Sequence, residues 1–329
     1  IYRYHMNTRD VVELASELIR FKSTLRCEQE AVSFLTERLK AMDFSPELVP
    51  VDAGRSNILA ACGIPEIIFS THIDVVPAPD ELFSPRLDGE RLVGRGACDA
   101  KGIIACMVAA AISLRTRGES NFGMLFVAGE ETTGDGARSA AQALKGRGIR
   151  YIINGEPTEC RVATAHKGAL GLRLVFSGKS CHSGYPELGV DANAKLARTC
   201  LKLLEADFGS DPELGRATLN VGLISGGSSS NTVSDRAELR CTIRTVEENS
   251  RALEKVKLLA NEASEINIEN DAPLARMLEV PGIESFTASY CTDIPNLAPL
   301  GAEFVLYGPG SIFTAHSNSE SISMSDIET

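Results

Sequence analysis

The chain has 329 residues, 43% of them hydrophobic and 23% charged, which is the balance of an ordinary water-soluble globular protein with length enough for two domains. Lys and Arg number 33 against 44 Asp and Glu, a formal net charge of -11, which argues against a nucleic-acid partner because such a partner wants a basic face. Gly102–Ser113, among the most apolar stretches, is too short to span a bilayer, so no membrane partner is expected.

The opening residues IYRYHMNTRD carry no apolar core of a signal peptide, and Met6 reads as a natural start with residues 1–5 upstream of it. Val11, Leu14, Ala15, Leu18 and Ile19 follow helical spacing, with Asn7 or Thr8 as N-cap. A second helix is predicted near Glu28–Met42, with Ala31, Phe34, Leu35 and Leu39 on one face. The pattern then changes to short apolar runs that stop at polar residues. Ile67–Phe69 ends at Ser-Thr-His-Ile-Asp, Met124–Val127 at Ala-Gly-Glu-Glu, Tyr151–Ile153 at Asn-Gly-Glu, and Phe304–Tyr307 at Gly-Pro-Gly. Such runs fit strands buried on both faces, and with helices at Lys101–Thr116 and Ala137–Lys145 between them they predict an α/β domain with a largely parallel sheet.

The middle third alternates differently. Strands at Leu170–Phe176, Ala217–Ile224, Ala237–Ile243 and Glu265–Glu269, with helices at Asp191–Ala206 and Glu247–Ala263, give the order β-α-β-β-α-β of a ferredoxin-like α+β unit. Residues 166–273 are therefore expected to be an inserted domain, and residues 1–165 with 274–329 the domain that receives it. Near the end, Ser325-Asp326-Ile327-Glu328 reads as a capping box opening a helix. The nine cysteines are scattered, odd in number and without a CxxC pair, which predicts reduced thiols in a cytoplasmic protein.

The informative acids and histidines fall where the buried strands end. His72 and Asp74 follow the first, Glu130 and Glu131 the second, Glu156 the third, and His316 comes shortly after the last; Asp99 stands just ahead of a helix. In open α/β sheets ligands bind beyond the carboxyl ends of the strands. Each residue alone is as easily a helix cap, a charged turn or a satisfied core histidine. Together, two imidazoles and several carboxylates from separate segments make a divalent metal site.

Five segments carry a family resemblance: Ser70-Thr71-His72-Ile73-Asp74-Val75-Val76-Pro77, Gly94–Gly102 (GRGACDAKG), Gly129-Glu130-Glu131, Asn154-Gly155-Glu156-Pro157, and Thr314-Ala315-His316-Ser317, joined by Cys181-His182-Ser183-Gly184-Tyr185-Pro186 in the insert. The chain resembles the M20 metallopeptidases, which include acetylornithine deacetylases, succinyl-diaminopimelate desuccinylases, aminoacylases and some carboxy- and dipeptidases. The resemblance implies a three-layer, zinc-aminopeptidase-like catalytic domain and an inserted lid that makes a homodimer. It implies two divalent ions, zinc first with cobalt or manganese as substitutes: His72, Asp99 and Glu156 on one, Asp99, Glu131 and His316 on the other, with Asp99 bridging. It casts Asp74 as the carboxylate that orients His72, Glu130 as general base, His182 as oxyanion stabiliser, often from the partner subunit, and Asn231 and Arg244 as the grip on a substrate carboxylate.

The implied activity is cleavage of the amide bond of a small N-acyl amino acid. Tyr290-Cys291-Thr292-Asp293 and Gly308-Pro309-Gly310-Ser311-Ile312 look most like acetylornithine deacetylase, with a desuccinylase or an M20 di- or carboxypeptidase as the alternative. A non-catalytic metal-binding scaffold is opposed by the intact Glu130. A nucleotide-binding reading fails because Gly94-Arg95-Gly96 lacks phosphate-loop spacing and Asp99 would repel phosphate.

Overall fold

The computed structural model describes residues 5–329. They fold as two compact units: the first runs to Thr164 and adds Met277–Phe286 and Thr292–Thr329, and the second holds Ala165–Arg276 and Thr287–Cys291. The short segment Thr287–Cys291, read from sequence as part of the receiving domain, thus groups with the second unit.

The first unit begins with the helix Thr8–Ile19. Asn7 caps it: its Oδ1 accepts from the Asp10 amide at 3.1 Å, and Asp10 Oδ2 accepts from the Asn7 amide at 2.9 Å. Leu14, Leu18, Leu35, Leu39, Ile104 and Val108, from this helix and the helices Gln29–Ala41 and Lys101–Thr116, pack on Ile58, Ala60, Phe122, Met124 and Phe126 of the sheet. Leu59, Leu125 and Val127 alternate to the opposite sheet face and are equally buried. The helix Asp135–Leu144 packs against the strands Pro46–Asp52 and Arg55–Gly63, outside that core. Helices therefore cover both faces of the sheet.

Four strands at the centre of the sheet run parallel, in the spatial order Asn121–Val127, Ile67–His72, Tyr151–Asn154, Glu303–Leu306. The expected largely parallel sheet is in fact mixed. The hairpin Pro46–Asp52/Arg55–Gly63 pairs antiparallel beside Asn121–Val127, and Val162–His166 joins antiparallel through Ala163. Pro46 and Pro50 hid the outer strand, because proline cannot donate within a ladder; Pro46–Asp52 is an edge strand, where proline is tolerated. The helix near the end, Met324–Glu328, is capped by Ser323, whose Oγ accepts from the Asp326 amide at 3.1 Å, so its cap lies two residues before the expected Ser325.

The second unit is a four-stranded antiparallel sheet with two helices, Ala192–Glu205 and Asn249–Leu259. Its last strand, Glu265–Ala272, lies beside its first, Gly168–Ser177; Arg236–Thr245 follows, and Thr218–Gly226 forms the far edge. This is the ferredoxin-like arrangement. Leu170, Leu172, Leu174 and Phe176 point with Leu239, Cys241 and Ile243 into the helical side. The alternate positions carry charge instead, in Arg173–Glu238 and Arg240–Glu238 pairs. Among the described residues all nine cysteines are free thiols, and no helix is long and apolar enough to cross a membrane.

Candidate metal centre

The parallel strands deliver their side chains to one place. His72 is the last residue of its strand, Glu130 and Glu131 follow Val127, Glu156 follows Asn154, and the segment after Leu306 leads to His316. Asp99 arrives from the loop before Lys101–Thr116. Gly96 makes that loop possible: at φ +90° it adopts a conformation side chains disfavour, and a Cβ there would meet Lys101 Cδ at 2.8 Å.

His72, Asp99 and Glu156, all buried, each offer a ligand atom within 4.8 Å of the others, and so do Asp99, Glu131 and His316. Asp99 belongs to both sets and faces each with a different oxygen. Its Oδ1 lies 2.9 Å from His72 Nε2 and its Oδ2 lies 3.3 Å from His316 Nε2. Glu131 Oε1 is 2.9 Å from the same His316 nitrogen. His316 itself sits at φ +60°, a strained conformation for a non-glycine residue of the kind that collects at functional sites. Two imidazoles and hard carboxylate oxygens are the donors of a zinc-type centre. The fit to a pair of cations shows in Glu156, whose Oε1 is buried without a hydrogen-bond partner, an arrangement costly for a carboxylate unless a cation completes it.

Asp74 lies beside His72 as expected, but its hydrogen bonds go elsewhere. Its carboxylate is 3.7 Å from His72 Nδ1, too far for a hydrogen bond, and the ring is held by the Asp74 backbone carbonyl at 3.0 Å. The side chain grips the neighbouring loop: Oδ1 accepts from the Glu130 amide and Oδ2 from the Glu131 amide, each at 3.1 Å. Both oxygens accept from those two amides, so the backbone carbonyl supplies the hydrogen bond to the imidazole and the carboxylate adds only a charge interaction with it. Beneath the same loop, Gly129 takes φ +78° with Arg55 Nη2 and Asp135 Oδ1 where a Cβ would stand, at 2.5 and 2.6 Å. Arg55, buried, pairs there with Glu28 and Asp135.

The titration of these groups follows from crowding. Burial pushes Glu130 well above the usual carboxylate range, reinforced by Glu156 and opposed by His72. Burial likewise raises Glu156, with Asp99 adding to it, and raises Glu131 against the hydrogen bond from His316. His316 is raised to about 10 by its hydrogen bonds to Asp99 and Glu131. Burial alone would depress His72, but the hydrogen bond to Asp99 and the surrounding carboxylates leave it well above its ordinary value. Asp99 goes the other way; burial opposes ionisation, yet the two histidines hold it below the carboxylate range.

A sign for the stability of metal-free protein follows. Each raised group contributes stability that is fully present below its unfolded value and lost as pH rises through its folded one. Asp293, raised to about 6 by burial, and Glu320, raised to about 7 by burial and Asp99, lose theirs first, and His316 loses its contribution approaching about 10. Asp99 acts oppositely only below its ordinary value of 3.8, and Lys101, lowered to about 7 by burial, acts oppositely only above about 7. The melting temperature of chelator-treated protein is therefore expected to fall from roughly pH 5 to pH 7, and restored zinc to flatten that slope. A metal-free melting temperature that rises over this range would contradict the assignment of charges.

Two carboxylates here were given no role in the sequence reading. Asp293, 2% exposed, has one oxygen held by Asn296 and the other buried without a partner. Glu320, 0% exposed, sits behind Asp99. Their signal was weak: an acid four residues after a histidine, and an acid before a proline-started turn of helix.

The remaining expected site residues lie in the second unit. His182 and Asn231 are neighbours there, through a His182–Thr232 bridge and the Ser183 amide donating to the Asn231 carbonyl at 3.0 Å. The Gly184 amide donates to His182 Nδ1 at 3.0 Å, which in the neutral ring leaves the hydrogen on Nε2. Arg244 lies on Arg236–Thr245 with its Nη1 3.4 Å from Cys291 Sγ, and makes no ion pair with a carboxylate among the described residues.

Comparison with known proteins agrees with this geometry. The model of peptidase family M20/M25/M40 matches residues 68–329. The chain belongs to that family. A peptidase M20 domain-containing protein of Schizosaccharomyces pombe is 31% identical, over 97% of this chain and 81% of that protein. A probable carboxypeptidase of Aspergillus terreus is 32% identical, over 95% and 82%. The solved structure of a Bacillus subtilis dinuclear metal-binding M20 peptidase superposes with a TM-score of 0.70 at 16% identity, covering 98% of this chain and 94% of that one. As an M20 peptidase the chain is a metallohydrolase acting on amide bonds.

Proposed function

We propose that this M20 hydrolase uses two divalent ions, zinc by the character of the donors, to cleave a small peptide or N-acyl amino acid next to its free carboxylate, in the manner of a carboxypeptidase. The observation that carries the reading is Asp99, whose two oxygens each face a different histidine and so serve two ligand sets. Bound in those sets, the ions supply Lewis acidity at the scissile carbonyl and a more acidic attacking water.

The chain's own groups perform the proton transfers. Glu130 takes the proton from the water as its oxygen bonds to the carbonyl carbon, then gives a proton to the leaving nitrogen as the carbon–nitrogen bond breaks. Its raised proton affinity, set by burial and Glu156, suits a group that must both accept and return a proton. Asp74 holds the Glu130 and Glu131 amides still, so the base keeps its aim. His182, exposed and with Nε2 as its donor, supports an oxyanion role. Ser229 donates to Asn231 Oδ1 at 2.6 Å, which leaves the Asn231 NH2 group for a ligand oxygen, and Arg244 has a guanidinium that pairs with no carboxylate among the described residues.

The carboxypeptidase reading is preferred over deacetylation of N2-acetylornithine because relatives at 30 to 32% identity are named probable carboxypeptidases. A homodimer through the second unit also fits, since Leu223 and Ile224 on the open edge strand and Leu201 and Leu204 on a helix are more than half exposed.

The test uses metal-stripped protein, refilled with zinc or cobalt, on dipeptides, N-acyl amino acids including N2-acetyl-L-ornithine, and the same compounds with the carboxylate amidated. Metal-dependent release of the C-terminal amino acid is expected, with amidation and Arg244→Ala each raising KM about 10- to 100-fold. His182→Ala should lower kcat with metal content unchanged. Equal turnover of free and amidated substrates would sink the carboxylate recognition, and no turnover at full metal occupancy would sink the activity.

A further inference from the structure

We propose that Glu320 is a positioning residue for the two-ion centre: it clamps the backbone of the Asp99 loop, and through that loop sets the aim of the shared carboxylate. The inference rests on the two-ion reading above. Glu320 is fully buried and begins four residues after His316, at the entry to the strand Ser321–Ser323. Its Oε1 accepts hydrogen bonds from the amides of Gly96 at 2.9 Å, Cys98 at 3.3 Å and Asp99 at 3.2 Å. Its Oε2 pairs with Arg95, and its backbone carbonyl accepts from the Gly94 amide at 3.1 Å. One residue thereby satisfies the loop from Gly94 to Asp99 without belonging to either ligand set.

The location matters because Glu320 closes the segment that also carries His316. That segment is tightened by Ser317 Oγ donating to the Thr314 carbonyl at 2.6 Å and by the Ser319 amide donating to Ser317 Oγ at 3.2 Å. Two donors of the second set, Asp99 and His316, are thus referred to one buried anchor. Outer groups that orient metal ligands typically govern affinity by 10- to 100-fold. An ordinary buried ion pair with Arg95 would instead govern stability alone. The two accounts differ in what the oxygen does: the first needs an acceptor at three amides, the second needs a negative charge at Arg95.

Two variants separate them. Glu320→Asp keeps the charge and draws the oxygens back by about one methylene from the amides. The double variant Arg95→Met with Glu320→Gln removes the ion pair and keeps a carbonyl oxygen for the amides. Zinc affinity is measured on metal-free protein by chelator competition, with near-ultraviolet circular dichroism reporting the folded fraction. Glu320→Asp is expected to weaken binding of the second ion about 10- to 100-fold, and the double variant to stay within about threefold of the parent. Equal affinities in both variants, or greater loss in the double variant, would overturn the inference. Should the parent protein itself bind fewer than two ions, the two-ion reading fails first, and the parent titration distinguishes that case.

Discussion

Glu130→Ala is expected to fold, to bind its full complement of metal, and to lose turnover by about 10³-fold or more. The residue belongs to neither ligand set, so its removal leaves both sets intact. What disappears is the group that receives the proton of the attacking water and returns it to the leaving nitrogen. The loop should survive the change, because Asp74 holds Glu130 by its amide, not by its side chain. Metal content by elemental analysis alongside kcat decides the matter. A variant with the parent's kcat would remove Glu130 from the reaction, and a variant that lost metal would make it a ligand.

Asp99→Asn is expected to empty both sets together. The substitution keeps the shape and one oxygen, but removes the charge that two cations share. Glu131→Gln touches only the second set and should leave one ion behind. Metal content of about zero for the first variant and about one ion per chain for the second would fit the shared carboxylate. Retention of two ions by Asp99→Asn would separate the sets and undo the bridging arrangement. In either variant turnover should fall by at least about 10³-fold, since the water loses one or both of its activators.

The convergence of His72, Asp99, Glu131, Glu156 and His316 was legible because each follows, or closely precedes, an element whose apolar pattern announces it. Met124–Val127 is uniformly apolar and buried throughout, Ile67–Phe69 is apolar with Ile68 buried and its neighbours half-buried, and a polar residue at the end of such a run needs a reason. The ferredoxin-like unit was legible for a related cause, since Leu170–Phe176 alternates while the strands of the first unit do not. Other features depend on contacts that sequence spacing does not encode. Asp74 lies two residues from His72, which makes the histidine the obvious partner, yet its carboxylate turns to amides more than fifty positions away. The edge strand Pro46–Asp52 was hidden by its prolines. Glu320 looked like one more surface acid in a serine-rich stretch, and only the folded chain sets it behind Asp99.

The two imidazoles that flank Asp99 also determine how the centre exchanges matter with its surroundings. His316 is raised to about 10, so at neutral pH its ring in the metal-free centre carries a second proton, and the surrounding carboxylates raise His72 in the same direction. A ring nitrogen that carries a proton toward Asp99 has no lone pair to offer a cation. Filling the centre therefore exports protons to the solvent, and emptying it takes them back. The ion supply and the acidity of the medium compete for the same two nitrogens, so lower pH is expected to weaken metal binding and higher pH to strengthen it. The enzyme's readiness to act is in this sense a reading of its ambient proton activity, taken before any substrate arrives.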